Sequence, residues 1–560
     1  MNRWNQVLWI GVLAGLAGCS PKQYAEQADR TAYTTLTAGQ KIALGKSQSF
    51  DVLYHPFTES RDSIQIGKKR IPLRGDQSVI LTLDEALEIA FGNSRTFQNR
   101  KETLFSSALT LANESRQWNW TLLAGALSGE ASHTKVNRNG ETNVGAAEAG
   151  RSWLKRFVHG GVLTLGYTIS LATEFTGWNH TLLGSLLDAN FTQPLLRGAW
   201  RGFAYEGQYR LERDFLFAVF DYHRFTQTFA VDMTTRYYGV LLLRDRLENE
   251  RSNIKRLEQT LKLTTVLVKG GHASRIEQDQ SEQNLLDARA RIERNRQNYL
   301  DSLDRFKLTL GLPVPVRIKL NYPGAIKALG LAGPKPIPLK EPEAIAVALA
   351  VRPDVLTERA KVRDAARDLE ISADQFNPQI DLEVGVNAAG TGDRQFHRTR
   401  FDRHTRYTGL TFDYDLDQTD NRDAYRNALI AHAKAQRDYD AFVDQVRIDI
   451  RSSRRRLVQS RNTYEIQGQN VKVALRRRRL AAWQQKGGSA SARDVLEAEE
   501  ALRNAQNGLT SALIDYTTTR LAFLADLGML WVDEKGKLHE RTTPDQFDRL
   551  KKRYPYIAPR

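Results

Sequence analysis

Lys486-Gly487-Gly488-Ser489-Ala490-Ser491-Ala492-Arg493-Asp494-Val495-Leu496-Glu497 decides the fold, because the chain carries this passage twice. Lys269-Gly270-Gly271 stands 217 residues earlier, and the same offset carries Ser274 onto Ser491 and Gly311 onto Gly528. It also carries Leu285, Ile292, Tyr299 and Phe306 onto Leu502, Leu509, Tyr516 and Phe523. Apolar residues every seven positions, repeated in register, mark a coiled-coil seam in an internally duplicated chain. Glycine pairs permit a tight reversal that other residues resist. Each copy therefore reads as a long helical hairpin with a glycine tip.

Outward from the tips the seven-residue spacing continues. It runs through Val443, Ile450, Leu457, Tyr464 and Val471 before the second tip, and through Leu247, Ile254, Leu261 and Val268 before the first. Ala498, Ala505 and Ala512 lie three positions after seam residues and let helices approach closely. No proline occurs from about residue 420 to 485. At about 1.5 Å per residue that helix spans roughly 100 Å, too long for the inside of a compact domain. The two halves also open alike: Glu85-Ala86-Leu87 with Ala90 matches Glu343-Ala344-Ile345 with Ala348 at an offset of 258. The two offsets differ by 41, so the first half holds that many extra residues between Ala90 and Gly270.

In and around this excess the apolar period changes to 2. Leu163, Leu165, Tyr167, Ile169 and Leu171 alternate with Val162, Thr164, Gly166, Thr168 and Ser170. Ile380 to Ala388 alternates likewise with Gln379, Asp381, Glu383, Gly385 and Asn387. Leu410, Phe412, Tyr414 and Leu416 alternate with Thr411, Asp413, Asp415 and Asp417; Leu187, Ala189 and Phe191 alternate with Asp188, Asn190 and Thr192. Trp118, Trp120, Leu122 and Ala124 are a weaker case. Segments near ten residues with one apolar and one polar face suit a transmembrane barrel, although soluble sandwich strands alternate too. Four or five strands cannot close around water, so several protomers would share one barrel.

At the N-terminus, Arg3 precedes an apolar run from Val7 to Ala17, which is too short to span a bilayer and reads as a secretory signal. Leu16-Ala17-Gly18-Cys19 resembles a bacterial lipobox. That resemblance implies cleavage before Cys19, a covalent lipid on it and, with Ser20 following, outer-membrane sorting. Cys19 is the one cysteine, so no intrachain disulfide forms. The formal charge of +16 becomes +15 without Arg3. No other apolar run reaches the roughly 18–20 residues of a spanning helix. The basic runs Arg454–Arg456 and Arg476–Arg479 lie in heptads without stacking aromatics, so they read as solvated faces and no nucleic-acid partner is expected. His397 and His404 lie in an Arg-rich polar loop without acidic or Cys partners, so no metal site is expected. No nucleotide-binding, metalloprotease or serine-hydrolase motif occurs, so an enzyme is not expected.

Residues 80–530 together resemble the outer-membrane efflux proteins typified by TolC. Leu83 to Ala90 and Pro338 to Ala348 look like that family's repeat openings. Gln193-Pro194-Leu195-Leu196-Arg197-Gly198 looks like its strand-to-helix corner, and Gly488 with Asp494-Val495-Leu496-Glu497 like its tip and the helix after it. The resemblance implies an α+β membrane protein, internally duplicated. A homotrimer would share a transmembrane β-barrel of twelve strands, four per protomer, above a long periplasmic α-helical coiled-coil barrel. The domains would be a lipoprotein signal peptide (1–18), a periplasmic N-terminal extension (19–80), a first repeat (81–312, tip 270–271), a linker (313–337), a second repeat (338–530, tip 487–488) and a periplasmic C-terminal extension (531–560).

The same resemblance implies partners and sites. A periplasmic adaptor (membrane fusion protein) would dock at Gly270, Gly271, Ser274, Gly487, Gly488 and Ser491, with an inner-membrane transporter behind it and outer-membrane lipid around the barrel. Asp494 and Glu497, with Glu277 and Gln280 in the first copy, would ring the periplasmic aperture. Carboxylate rings select cations, and their crowding would raise some of their pKa values. Glu499 would lie elsewhere around the same helix, away from the ring. Two departures stand out. Asp413–Asp417 occupies the place of a proline corner, and Gln485 and Ala490 stand where the family has gate-locking residues. The implied function is a passive outer-membrane conduit for tripartite efflux or type I export, with no cofactor beyond the lipid on Cys19. The alternative is a lipid-anchored periplasmic coiled-coil scaffold without a pore.

Overall fold

The duplication reappears in a computed structural model that describes residues 20–45, 47, 49–53, 63–66, 69–72, 78–136, 140–174, 181–337, 339–392, 403–487 and 489–540. Cys19 and Gly488 lie outside the described residues, as does His397. The first half runs α1 (Pro21–Leu44), β1 (Ser63–Ile66), β2 (Lys69–Pro72), β3 (Val79–Leu81), α2 (Leu83–Asn93), α3 (Arg95–Arg116), β4 (Thr121–Val136), β5 (Gly140–Arg156), β6 (Val162–Glu174), β7 (Thr181–Pro194), a short α4 (Arg201–Ala204), α5 (Glu206–Lys269) and α6 (Arg275–Leu310). Then follow β8 (Ile318–Leu320), α7 (Tyr322–Ala332), α8 (Glu341–Val351), α9 (Pro353–Asp374), β9 (Gln379–Gly392), β10 (Arg403–Asp413), α10 (Thr419–Lys486), α11 (Ala492–Asp526), β11 (Leu530–Val532) and β12 (Leu538–Glu540).

Helices α2 and α3 match α8 and α9 at an offset of 258 at both ends, and β4 and β9 begin the same distance apart. From the ends of α5 and α10 onward the offset is 217. The 41-residue excess therefore falls after the start of β4, where β5 and β6 form a hairpin that the second half lacks.

The chain forms two compact units. One, residues 1–47, 104–219 and 358–439, holds a six-stranded antiparallel sheet of order β10-β9-β7-β6-β5-β4. Six strands replace the expected four. The segment around Leu163 is a full strand, β6, bonded to β5 on one side and β7 on the other. Strand β5 escaped the alternation test because Gly140–Gly150 offers glycine, alanine and polar residues, with Val144 its one large apolar side chain. Three strand readings need correcting. Trp118 and Trp120 precede β4, Tyr414 and Leu416 follow β10, and His404 lies in β10 rather than in a loop.

The chain leaves β7 and β10 at the same end of the sheet, and polar contacts hold both exits. At the corner after β7, the Gly198 N–H donates to Asp374 Oδ2 at 2.8 Å, with Gly198 at φ +75°, and Arg197 Nε donates to Gln379 Oε1 at 2.9 Å. After β10 the missing proline is replaced by a carboxylate. Asp417 Oδ1 accepts from Thr419 N at 3.0 Å and Thr419 Oγ1 at 2.6 Å, and the hydroxyl bond in particular holds its pKa below the ordinary range.

The other unit, residues 48–103, 220–357 and 440–560, carries the largest apolar core. Phe91, Phe97, Phe229, Met233, Leu241 and Phe306 are buried there beside the parallel pair β3–β8. Thr82 starts α2 through a capping box, donating its N–H to Glu85 Oε2 at 2.8 Å. On α10, Ile450 and Leu457 are buried, as the seam requires. A second seven-residue stripe on the same helix, Ile466, Val473 and Leu480, stands more than half exposed with Trp483. Among the described residues, no helix is long and apolar enough to cross a membrane.

Candidate channel tip

Each tip is a helix stop followed by a capped restart. After α5, Gly270 N donates to Val266 O at 3.0 Å, Gly271 N to Val268 O at 3.1 Å and His272 N to Leu267 O at 2.8 Å. Gly271 takes φ +72°, where a side chain would be strained. Ser274 then caps α6, its Oγ accepting from Glu277 N at 3.2 Å. At the second tip, Gly487 N donates to Trp483 O at 3.2 Å and Ser489 N to Gln484 O at 2.9 Å.

Ser491 caps α11 reciprocally with Asp494. Asp494 Oδ2 accepts from Ser491 N at 2.9 Å and Ser491 Oγ at 2.7 Å, while Asp494 N donates back to Ser491 Oγ at 3.3 Å. These bonds, the hydroxyl's first, hold the Asp494 carboxyl below its ordinary pKa. Within one protomer the direction is thus opposite to that expected of a crowded acidic ring: the carboxylate is occupied as a cap.

Glu497 is also engaged. Its oxygens lie 3.2 Å from Arg493 Nε and 3.5 Å from Arg477, so each acid of the proposed ring has a basic or capping partner at hand. Glu277 reaches across to the second copy, its Oε2 accepting from Ala492 N at 3.5 Å. The two tips therefore meet through a carboxylate on a helix N-terminus, a favourable place for negative charge. Gln280 is exposed and joins no such contact.

Glu499, expected elsewhere around the helix than the ring, is buried. Its side chain is 3% exposed, with Arg256 against one oxygen and Arg478 Nε 2.8 Å from the other. Glu250 is its counterpart lower in the bundle, paired with Arg291 at 3.2 Å and Arg503 at 3.6 Å. The signal was present: Val495, Glu499 and Leu502 sit at i, i+4 and i+7, one helix face. Among the described residues, no three His, Cys, Asp or Glu side chains gather as a metal-ligand group.

Residues 344–528 match the family model of the outer membrane efflux protein. This match lies within the second repeat, which is thus similar to outer membrane efflux proteins. The fold of the chain is similar to those of solved outer-membrane proteins and channels. VceC of Vibrio cholerae is 14% identical, with a TM-score of 0.57 over 80% of this chain and 96% of VceC. CmeC of Campylobacter jejuni is 12% identical, with a TM-score of 0.57 over 90% of this chain and 98% of CmeC. MtrE of Neisseria gonorrhoeae is 12% identical, with a TM-score of 0.56 over 86% and 98%. No curated protein sequence matches the chain.

Proposed function

We propose that the protein is the passive outer-membrane channel of a tripartite efflux or type I export system. Three copies close their sheets into one barrel, and their helices form a periplasmic tunnel. The observation that carries this reading is the sheet's uncovered apolar face. Trp153, Tyr167, Leu187, Val384, Leu410 and Phe412 are each more than a third exposed. The opposite face presents Asp188, Asn190, Asp381 and Glu383. A coiled-coil scaffold in water has no use for such a face, whereas lipid outside and water inside require it. The exposed stripe Ile466, Val473, Leu480 and Trp483 supports helix contacts between copies. Such a conduit performs no chemistry of its own.

In this reading the tips around Gly270, Gly271, Ser274, Gly487, Gly488 and Ser491 receive the adaptor, and Asp494, Glu497, Glu277 and Gln280 surround the aperture. Purified protein should form trimers and conduct in planar bilayers, and a soluble monomer that never conducts would sink the proposal. Replacing Asp494 and Glu497 together by alanine leaves Arg477 and Arg493 without those acids. The reversal potential in a salt gradient should then move toward anion preference. An unmoved potential would mean that these acids are helix caps and surface ion pairs away from the constriction. We also propose a lipid on Cys19, motivated by Leu16-Ala17-Gly18-Cys19. Mass spectrometry of the N-terminal peptide should find it acylated, and Cys19→Ser should remain an unprocessed precursor. A mature, lipid-free N-terminus would exclude the anchor.

A further inference from the structure

We infer that the shared barrel has eighteen strands, six from each of three copies, and so encloses a lumen wider than the twelve-stranded one implied by the family resemblance. The inference rests on the trimeric-channel reading and on the place of the β5–β6 hairpin.

That hairpin is inside the sheet and not an appendage to it. Residues Val162–Glu174 bond to β5, and Val162–Thr173 bond to β7. From β5 through β6 and β7 to β9 the pairing runs without a slip, whereas β4 joins β5 with one register shift, between Leu123 and Ala126. Leu122 pairs with Trp153, Trp153 with Leu165, Leu165 with Ala189 and Ala189 with Val386, one apolar row across five strands. It meets the edge strand β10 at Arg406, near the loop end of that strand. On the opposite face Ser152, Gly166, Asp188 and Asn387 form the matching polar row. A one-residue slip would send every side chain of an inserted strand to the wrong face. A hairpin folded over the barrel mouth or lying in the lumen would have no reason to keep this phase.

The sheet leaves two edges, β4 and β10. In hydrocarbon an open edge cannot persist, so each must pair. Because six strands alternate in direction, β4 and β10 run antiparallel to each other, and β10 of one copy presents the correct polarity to β4 of the next. Closing three such sheets uses every edge. With strands about 4.8 Å apart and tilted about 40°, eighteen strands give a backbone radius of roughly 18 Å, against roughly 12 Å for twelve. Barrels of that strand number hold an aqueous channel, which fits a large hydrated cargo.

The test is electron cryo-microscopy of the full-length trimer in lipid nanodiscs, with the barrel strands counted directly. Eighteen are expected. A trimer with a twelve-stranded barrel and β5–β6 outside it would overturn the inference and leave the channel reading standing, whereas the lack of any trimer would defeat the channel reading itself. Deleting residues 140–174 removes the hairpin and preserves the direction of β4 and β7. That variant should form a twelve-stranded barrel whose radius is smaller by about a third. If it forms a barrel of unchanged radius, the hairpin does not build the wall. If it fails to fold, the wild-type strand count decides.

Discussion

Glu499→Ala will lower the unfolding midpoint of the purified protein more than any surface change on the same helix. The carboxylate is 3% exposed and lies between Arg256 and Arg478, which are 17% and 30% exposed. Removing it strands two guanidinium groups at a mostly dry helix interface. Deleting one member of a buried charge pair costs about 3–5 kcal/mol, because the remaining charge loses its partner and regains little water. Arg478 keeps some solvent, which places the expected loss near the lower end. Glu499→Gln keeps the shape but only one acceptor oxygen, so one guanidinium keeps a partner while the other faces an NH2 donor, and its loss should fall below that of alanine without vanishing. Thermal melts followed by circular dichroism at 222 nm would measure both. A midpoint for the alanine variant equal to wild type would show that the two arginines reach water without rearrangement and that the burial argument is wrong.

Gly311→Ala should be far more damaging than Gly528→Ala, although the two glycines are the same position in the two repeats. Both end a long helix in the left-handed region, at φ +75° and +73°. Leu312 N donates to Lys307 O at 2.9 Å after the first, and Met529 N to Leu524 O at 2.9 Å after the second, so both close with the same motif. An alanine in this conformation costs about 1–2 kcal/mol at either site. The neighbours differ. A Cβ at Gly311 would overlap the Asn93 carbonyl group, which is backbone and cannot swing aside. At Gly528 the nearest atom would be the Val351 side chain at 3.4 Å, ordinary contact. Forcing backbone apart adds about 1–3 kcal/mol, so the first variant should lose roughly twice as much stability as the second. Equal losses in paired melts would mean that the α2–α3 junction yields freely.

Much of this was legible in the chain. Offsets of 217 and 258 between like residues located the tips, the paired helices and a 41-residue excess, because a duplicated fold repeats its steric demands. Alternation exposed β6, β7, β9 and β10, whose successive side chains point to opposite faces, one apolar and one polar. Other features were not legible for stated reasons. Strand β5 was hidden because glycine and alanine carry little hydropathy contrast. The inward face of Glu499 could be read from its spacing to Val495 and Leu502, but its ion pairs could not, because Arg256 stands 243 residues away. The cap between Asp494 and Ser491 was not legible because their spacing allows a cap but does not require one.

Taken alone, the sequence determined periodicity: where helices run, where they reverse, and that the first half is longer. Those follow from local rules, since side-chain spacing and glycine freedom act over a few residues. Only the tertiary structure decided that the excess is a hairpin in the middle of a sheet that also takes in strands more than 200 residues further on. It also decided which charges are buried together. Both depend on pairings across long stretches of chain, where hydrogen-bond register and desolvation select among partners that local pattern leaves equivalent.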